Sequence, residues 1–324
     1  MNKIIVAGLA VVGAAALAFG AYYLARVPQT ALPEYEEVET QMPQDIEGDL
    51  PAEEDLIEEN QNGETAQIDE PAAAPQDDQK TIIGKSVQGR EIAAYHFGGG
   101  QKEILFVGGI HGGYSWNTAL LAYELIDYLN ADQSRVPANI KITVIPTLNP
   151  DGLAKVVDKP GAFTAAEVSA PADASAARFN GNNVDLNRNF DCEWQASGVW
   201  QNRTVSGGTA PFSEPESAAL RAYVQNRQPG AVVAWYAAAG GVFASSCKNG
   251  VSVQTQAIMN TYAKASGYPA HQDFDFYEIT GDMTNWFAKI GVPAIGVVLS
   301  SRDNSEWSKN QAGSLAVIEY VSKQ

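Results

Sequence analysis

Histidine, cysteine and basic charge are all scarce in this chain of 324 residues. Three histidines leave little material for a His-rich metal site. Two cysteines exclude a disulfide-built scaffold and a multi-zinc-finger protein. Lys and Arg number 21 against 38 Asp and Glu, a net charge of −17. That balance argues against a nucleic-acid binder, which presents a basic face to the phosphate backbone. No internal repeat is found.

The acidic excess is confined to one segment. Residues 31–80 carry 17 acidic side chains and one basic one, whereas residues 81–324 carry 21 and 18. Residues 31–80 also have almost no aromatic side chains, and they hold Pro33, Pro43, Pro51, Pro71 and Pro75. Such a segment cannot bury enough apolar surface to offset its chain entropy, so it reads as a disordered, self-repelling acidic linker. A specific acidic ligand for a basic partner is the other reading.

Ahead of it, Lys3 precedes an uninterrupted apolar run from Ile4 to Ala25, 22 residues long. As a helix it would span roughly 33 Å, enough for a bilayer core of about 30 Å. Secretory apolar regions are shorter, about 7–15 residues. Residues 1–30 are therefore expected to be an uncleaved signal anchor, with the membrane as a partner through residues 4–25. Ala16-Leu17-Ala18 has the small-x-small form of a cleavage site, so a secreted form cut near Ala18 stays open. Either reading places the remainder outside the cytoplasm.

Residues 81–324 alternate strand and helix signals. Glu103 to Ile110 is a short apolar run ending in Gly-Gly-Ile, as buried parallel strands do. Trp116 to Asn130 repeats apolar residues every three or four positions and reads as an amphipathic helix. Lys141 to Pro146 is a strand before the turn Asn149-Pro150-Asp151-Gly152. Ser213 is expected to cap a helix that has Pro215 and Glu216 in its first turn. Ala231 to Tyr236 and Ala294 to Leu299 read as further buried strands. The expected class is α/β, a mixed, mainly parallel sheet flanked by helices on both faces.

In such sheets function sits on loops at the carboxyl ends of strands. The candidates are His111-Gly-Gly-Tyr-Ser-Trp-Asn117, Thr147-Leu-Asn-Pro-Asp-Gly152, Val184-Asp-Leu-Asn-Arg-Asn-Phe190 and the Gly-rich stretch after Tyr236. Gly109-Ile-His-Gly-Gly-Tyr114, Asn149-Pro-Asp-Gly152, Val184–Phe190 and Tyr277-Glu-Ile-Thr-Gly281 follow one another in the order found in the zinc carboxypeptidases. Over nearly the whole of residues 81–324 the chain resembles that carboxypeptidase A-like family. The resemblance implies one zinc held by a His, a nearby Glu and a second His from a later strand. It also implies a Glu general base, an oxyanion Arg, and an Asn-Arg pair for the substrate's terminal carboxylate.

Carried over residue by residue, the catalytic half is missing. His111 matches the first zinc ligand, Ser115 stands at the Glu ligand, and Tyr236 stands at the second His. Val298 occupies the general-base position, and Gly296 a second position that is often acidic. His96 and His271 lie elsewhere. One ligand of three cannot hold a catalytic zinc, so His111 is a vestigial ligand, read instead as a hydrogen-bonded structural residue. The resemblance then implies no zinc, and zinc only if these positions are misplaced. The binding half is kept: Asn187 and Arg188 match the carboxylate pair, Arg178 the oxyanion arginine, and Tyr277 the mobile tyrosine over the substrate. Thr284 and Asn285 fall where side-chain specificity is set. A structural role for Arg188 and a core role for Tyr277 stay open.

Cys192 and Cys247 follow two of these segments, and two thiols in an exported domain point to one disulfide; two separate buried thiols are the other reading. Three functions fit. The first is a membrane-anchored, catalytically inactive relative that binds peptide or protein C-termini, or cell-wall peptides. The second is an active zinc metallocarboxypeptidase. The third is a structural or partner-binding domain with no ligand.

Overall fold

The computed structural model describes residues 79–169 and 174–324, all within one unit, Asp69–Gln324. The expected anchor at residues 4–25 and all but the end of the acidic segment lie outside the described residues. Among the described residues no helix is long and apolar enough to cross a membrane.

Ten strands form in chain order: β1 Lys80–Lys85, β2 Glu91–Phe97, β3 Lys102–Val107, β4 Ile140–Ile145, β5 Ser197–Trp200, β6 Arg203–Ser206, β7 Ala231–Ala237, β8 Gly241–Ala244, β9 Ala270–His271 and β10 Ala294–Leu299. Among the described residues five longer helices accompany them, α1 Trp116–Ala131, α2 Pro215–Arg227, α3 Val253–Ser266, α4 Met283–Lys289 and α5 Trp307–Ser322, besides a single α-helical turn at Pro150–Leu153. Eight strands make one sheet in the order β1-β2-β4-β3-β7-β10-β8-β9, and β5 and β6 form a separate hairpin.

The four central strands β4, β3, β7 and β10 run parallel. Their sequences are apolar and rich in β-branched residues, and every residue of β7 and β10 is buried, as a sheet covered on both faces requires. Pleating sends alternate residues to opposite faces. Ile104, Phe106, Val233, Trp235, Ile295 and Val297 pack with α1, α3 and α5. Leu105, Val107, Val232, Ala234 and Val298 pack with α2 and α4 on the other side.

Both flanks of the sheet are more mixed than the apolar runs suggest. β1, β2 and β8 join antiparallel, and only the short β9 adds a parallel pairing outside the centre. The expected cap of α2 is also corrected. Glu214, not Ser213, is the residue before the helix, with Pro215 in its first turn. The Ser213 hydroxyl is already engaged, accepting from Asn189 Nδ2 at 3.0 Å and from the Thr209 amide at 3.2 Å.

Candidate functional site

Parallel strands deliver their carboxyl ends to one edge of the sheet. The segments after β3, β4, β7 and β10 therefore meet there, bringing His111, Asn149–Gly152, Tyr236–Gly240 and Arg302 into one neighbourhood. Their backbones approach closely. Gly112 has φ +47°, and a Cβ on it would stand 2.6 Å from the Cα of Gly152, so no larger residue fits at that crossing. The Val184–Phe190 segment enters differently from expectation. It follows no strand of the main sheet; Leu186–Arg188 is a 3-10 turn, tied to β6 by a bridge from Val184 to Ser206.

A cavity of about 490 Å³ opens at this edge. His111, Arg178, Asn187, Tyr236, Tyr277 and Val298 all line it, and so do Thr284 and Asn285. The residues expected from the sequence thus meet at one cavity, with two exceptions. Ser115 is buried behind the wall, its hydroxyl 3.5 Å from the Ala237 carbonyl to which it donates. Arg188 does not line the cavity either. Its guanidinium donates to the carbonyls of Thr280 at 3.4 Å and Val199 at 3.1 Å, and the Tyr277 ring lies 5.6 Å away.

The Tyr277–Gly281 segment is sewn to the arginine by backbone bonds. Phe190 N donates to Gly281 O at 3.0 Å, and Gly281 N to Cys192 O at 2.8 Å. Gly281 has φ +63°, and a Cβ there would come within 2.1 Å of the Arg188 carbonyl oxygen, so glycine is required. Cys192 and Cys247 are joined, with Cα atoms 6.0 Å apart, which fastens the same segment to the residues after β8.

The positions where the resemblance expects metal ligands are filled by neutral groups. The Tyr236 ring stands 5.6 Å from the His111 ring. Its hydroxyl donates to Asn187 Oδ1 at 3.4 Å. Gly296 makes room for it: a Cβ at that position would lie 3.3 Å from Tyr236 Cε2. Burial, and then the charge of Asp282, hold the Tyr236 phenol protonated well above its ordinary range, so it is a poor metal donor.

His111 is not hydrogen-bonded as expected. Among the described residues neither of its ring nitrogens has a partner, although the side chain is 5% exposed. Burial, and then the charges of Arg178, Arg302 and Arg188, hold this imidazole neutral, with its pKa well below 6.5. Among the described residues no three His, Cys, Asp or Glu side chains are placed to hold a metal. The donor set therefore does not fit a zinc held by three protein ligands.

Two arginines, Arg178 and Arg302, and three carboxylates, Glu193, Asp273 and Asp282, line the cavity. Arg178 is buried and paired with Asp185 at 2.9 Å. Arg302, which the sequence reading overlooked, lines the cavity beside Tyr114, 4.3 Å from that ring. A signal for it existed, because it lies three residues after β10, on a strand-end loop. Asp282 supplies the main buried counter-charge; it accepts from Asn187 Nδ2 at 2.7 Å and caps α4.

This chain belongs to the zinc carboxypeptidase family, whose sequence profile, "Zinc carboxypeptidase", matches residues 68–306. It is 26% identical over 229 residues to gamma-D-glutamyl-L-diamino acid endopeptidase 1 of Lysinibacillus sphaericus, a match over 64% of this chain and 57% of that protein. It is 30% identical over 184 residues to carboxypeptidase M of Mus musculus, covering 50% of this chain and 36% of that one. The chain thus spans little more than half, or less, of these relatives' lengths. Among solved structures, the murein-tripeptide amidase of Escherichia coli O157 superposes with a TM-score of 0.52 at 20% identity, over 73% of this chain and 91% of that one. Thrombin-activatable fibrinolysis inhibitor gives 0.60 at 16% identity, over 76% and 69%. These superpositions show a shared fold.

Proposed function

We propose that this chain is a non-catalytic member of its family that binds the anionic ends of peptides. The observation that carries the reading is the Tyr236 ring, set against Gly296 where the family places its second histidine ligand. Three separated positions, Ser115, Tyr236 and Val298, have lost metal-binding or proton-transfer groups together, while Asn187, Arg178 and Tyr277 still line the cavity. Loss of a general base alone costs about 10²–10⁴ in rate; loss of the metal also removes the activated water. An arginine forks onto a carboxylate with paired hydrogen bonds that lysine cannot copy, which suits Arg188 to a chain end once Tyr277 moves.

The relatives include a gamma-D-glutamyl-L-diamino acid endopeptidase and a murein-tripeptide amidase. Those names favour cell-wall peptides over protein C-termini as the ligand. The place of action in this proposal is the outer side of the cytoplasmic membrane, with residues 4–25 as the anchor and residues 31–80 as the spacer. Cleavage near Ala18 would release the protein instead.

One observation favours the alternative of an active zinc carboxypeptidase, with Arg178 as its oxyanion arginine: both His111 nitrogens are unpartnered, as a metal ligand's donor atom would be. Metal analysis separates the two. The purified protein is expected to carry no stoichiometric zinc, and Ser115→Glu, Tyr236→His and Val298→Glu together are expected to create a site that takes it up. Arg188→Ala is expected to weaken peptide binding at least tenfold. Stoichiometric zinc in the unaltered protein, removed by a chelator along with peptidase activity, would end the proposal.

A further inference from the structure

Two polar side chains at the inner wall of the cavity, Arg302 and His111, have hydrogen-bonding capacity that the described residues do not use. The guanidinium of Arg302 lies against Tyr114, and its Nη2 donates to the Ala237 carbonyl at 3.3 Å. Its Nε is buried and has no partner among the described residues. His111 presents two such nitrogens on the same wall. Arg178 stands against the same Tyr114 ring, at 6.0 Å, and against Trp200 at 4.6 Å. Arg178 has Asp185 as its counter-ion. Among the described residues Arg302 has no carboxylate within ion-pair distance.

Buried donors left unpaired are costly, and a desolvated guanidinium most of all. An acceptor that carries negative charge satisfies the Arg302 Nε and one His111 nitrogen together. A metal cation is the wrong sign beside two arginines. A carboxylate can accept from the Arg302 Nε edge while neutral His111 donates its one N–H.

We infer that Arg302, together with His111 and Arg178, forms a second anion site on the wall where the family holds its metal, and that the ligand is a peptide end bearing two carboxylates. One carboxylate goes to Asn187 and Arg188 beneath Tyr277, and the other to Arg302. A γ-linked glutamyl dipeptide, whose α-carboxylate stays free, has this chemistry; an ordinary peptide with an uncharged C-terminal side chain does not. This inference rests on the proposed binding function and specifies its ligand class.

Calorimetric titration of the full chain with γ-D-glutamyl-L-alanine, and with its analogue amidated at the glutamyl α-carboxyl, tests it. The dicarboxylate is expected to bind at least tenfold tighter than the amide. In Arg302→Gln that ratio is expected to fall below twofold, and Arg302→Lys to keep part of it. Equal affinity for the two peptides in the unaltered protein, or a preference that survives Arg302→Gln in a variant with an unchanged melting temperature, would overturn the second site. If Arg302→Gln does not fold, the ratio in the unaltered protein decides alone. Failure of both peptides to bind would remove the proposed function as well. Binding of the amide without preference for the dicarboxylate would leave that function standing and remove only this site.

Discussion

Replacing Gly296 with alanine reports on whether the Tyr236 ring fills the ligand position. A Cβ at residue 296 would stand 3.3 Å from Tyr236 Cε2 and 3.6 Å from Cδ2. The first distance is tighter than ordinary carbon contact, so the ring must yield by a few tenths of an ångström. It has little room to do so. Tyr236 is 8% exposed, its hydroxyl is held by Asn187, and the His111 ring lies on another side. Overpacking of this kind costs about 1–3 kcal/mol. Gly296 lies inside β10 and does not have positive φ, so alanine suits its backbone and returns about 0.4–1 kcal/mol through the unfolded chain. The expected net loss is about 0.5–2 kcal/mol. In a Tyr236→Ala background the clash is absent, and the same substitution should become neutral or stabilising. The pair should thus show a coupling of about 1–3 kcal/mol. Tyr236→Phe keeps the ring and should keep the cost. Urea unfolding followed by tryptophan fluorescence measures all of these stabilities. An equal change on Gly296→Ala with and without the Tyr236 ring would refute the packing argument, and with it the reading that the phenol occupies the metal position.

Two further predictions concern stability away from the cavity. The Cys192–Cys247 bond closes a sequence separation of 55 residues, which corresponds to about 4 kcal/mol of chain entropy. Converting both to serine is expected to lower the unfolding free energy by about 2–4 kcal/mol, and a loss under about 1 kcal/mol in non-reducing melts would contradict this. Burial, and then the neighbouring charge of Lys141, bring the His96 imidazole from 6.5 down to about 4, with its nitrogens engaged by Thr81 and Thr143. The unfolded chain takes up this proton first, so stability should fall as pH drops from about 6.5 to about 4, and this group should add no slope above that window. After allowance for solvent screening the loss is about 2 kcal/mol. His96→Gln should flatten that part of the pH profile; an unchanged slope in the variant would exclude His96 as its source.

The parallel centre of the fold was legible because β7 and β10 are buried on both faces and so read as continuous apolar runs. The flanks were not. β8, Gly241–Ala244, is four residues long and directly follows a Gly-rich turn, and its antiparallel placement beside β10 is a tertiary choice that no local pattern carries. Ser213 looked like a cap by residue type, but the Asn189 side chain arrives from a distant segment and takes up its hydroxyl. In the site, residue identity alone sets the expectation that Ser115, Tyr236 and Val298 do no metal chemistry. The covering of Arg188 by Tyr277, the two unpartnered nitrogens of His111 and the entry of Arg302 depend on segments meeting in space. Of these only Arg302 left a trace in the sequence, by its place after a strand end.

Under the proposed function, the residues at Ser115, Tyr236 and Val298 make physical sense as one change. In the family's arrangement a divalent cation stands with a ligand carboxylate and a second carboxylate as base, so the inner wall is neutral apart from its arginines. Serine, tyrosine and valine in this chain are neutral too, and the wall keeps the same balance without any ion. Restoring one carboxylate alone would not keep it. A glutamate at Ser115 or at Val298 would be a buried anion without a metal, and it would pair with Arg178 or Arg302 in place of the incoming ligand. Substituting only the metal's histidine would have left two carboxylates facing those arginines and closed the site to anions. The neutral set at Ser115, Tyr236, Gly296 and Val298 adds no carboxylate beside Arg302, which has none within ion-pair distance among the described residues, and that leaves Arg302 free for an anionic chain end under the proposed function.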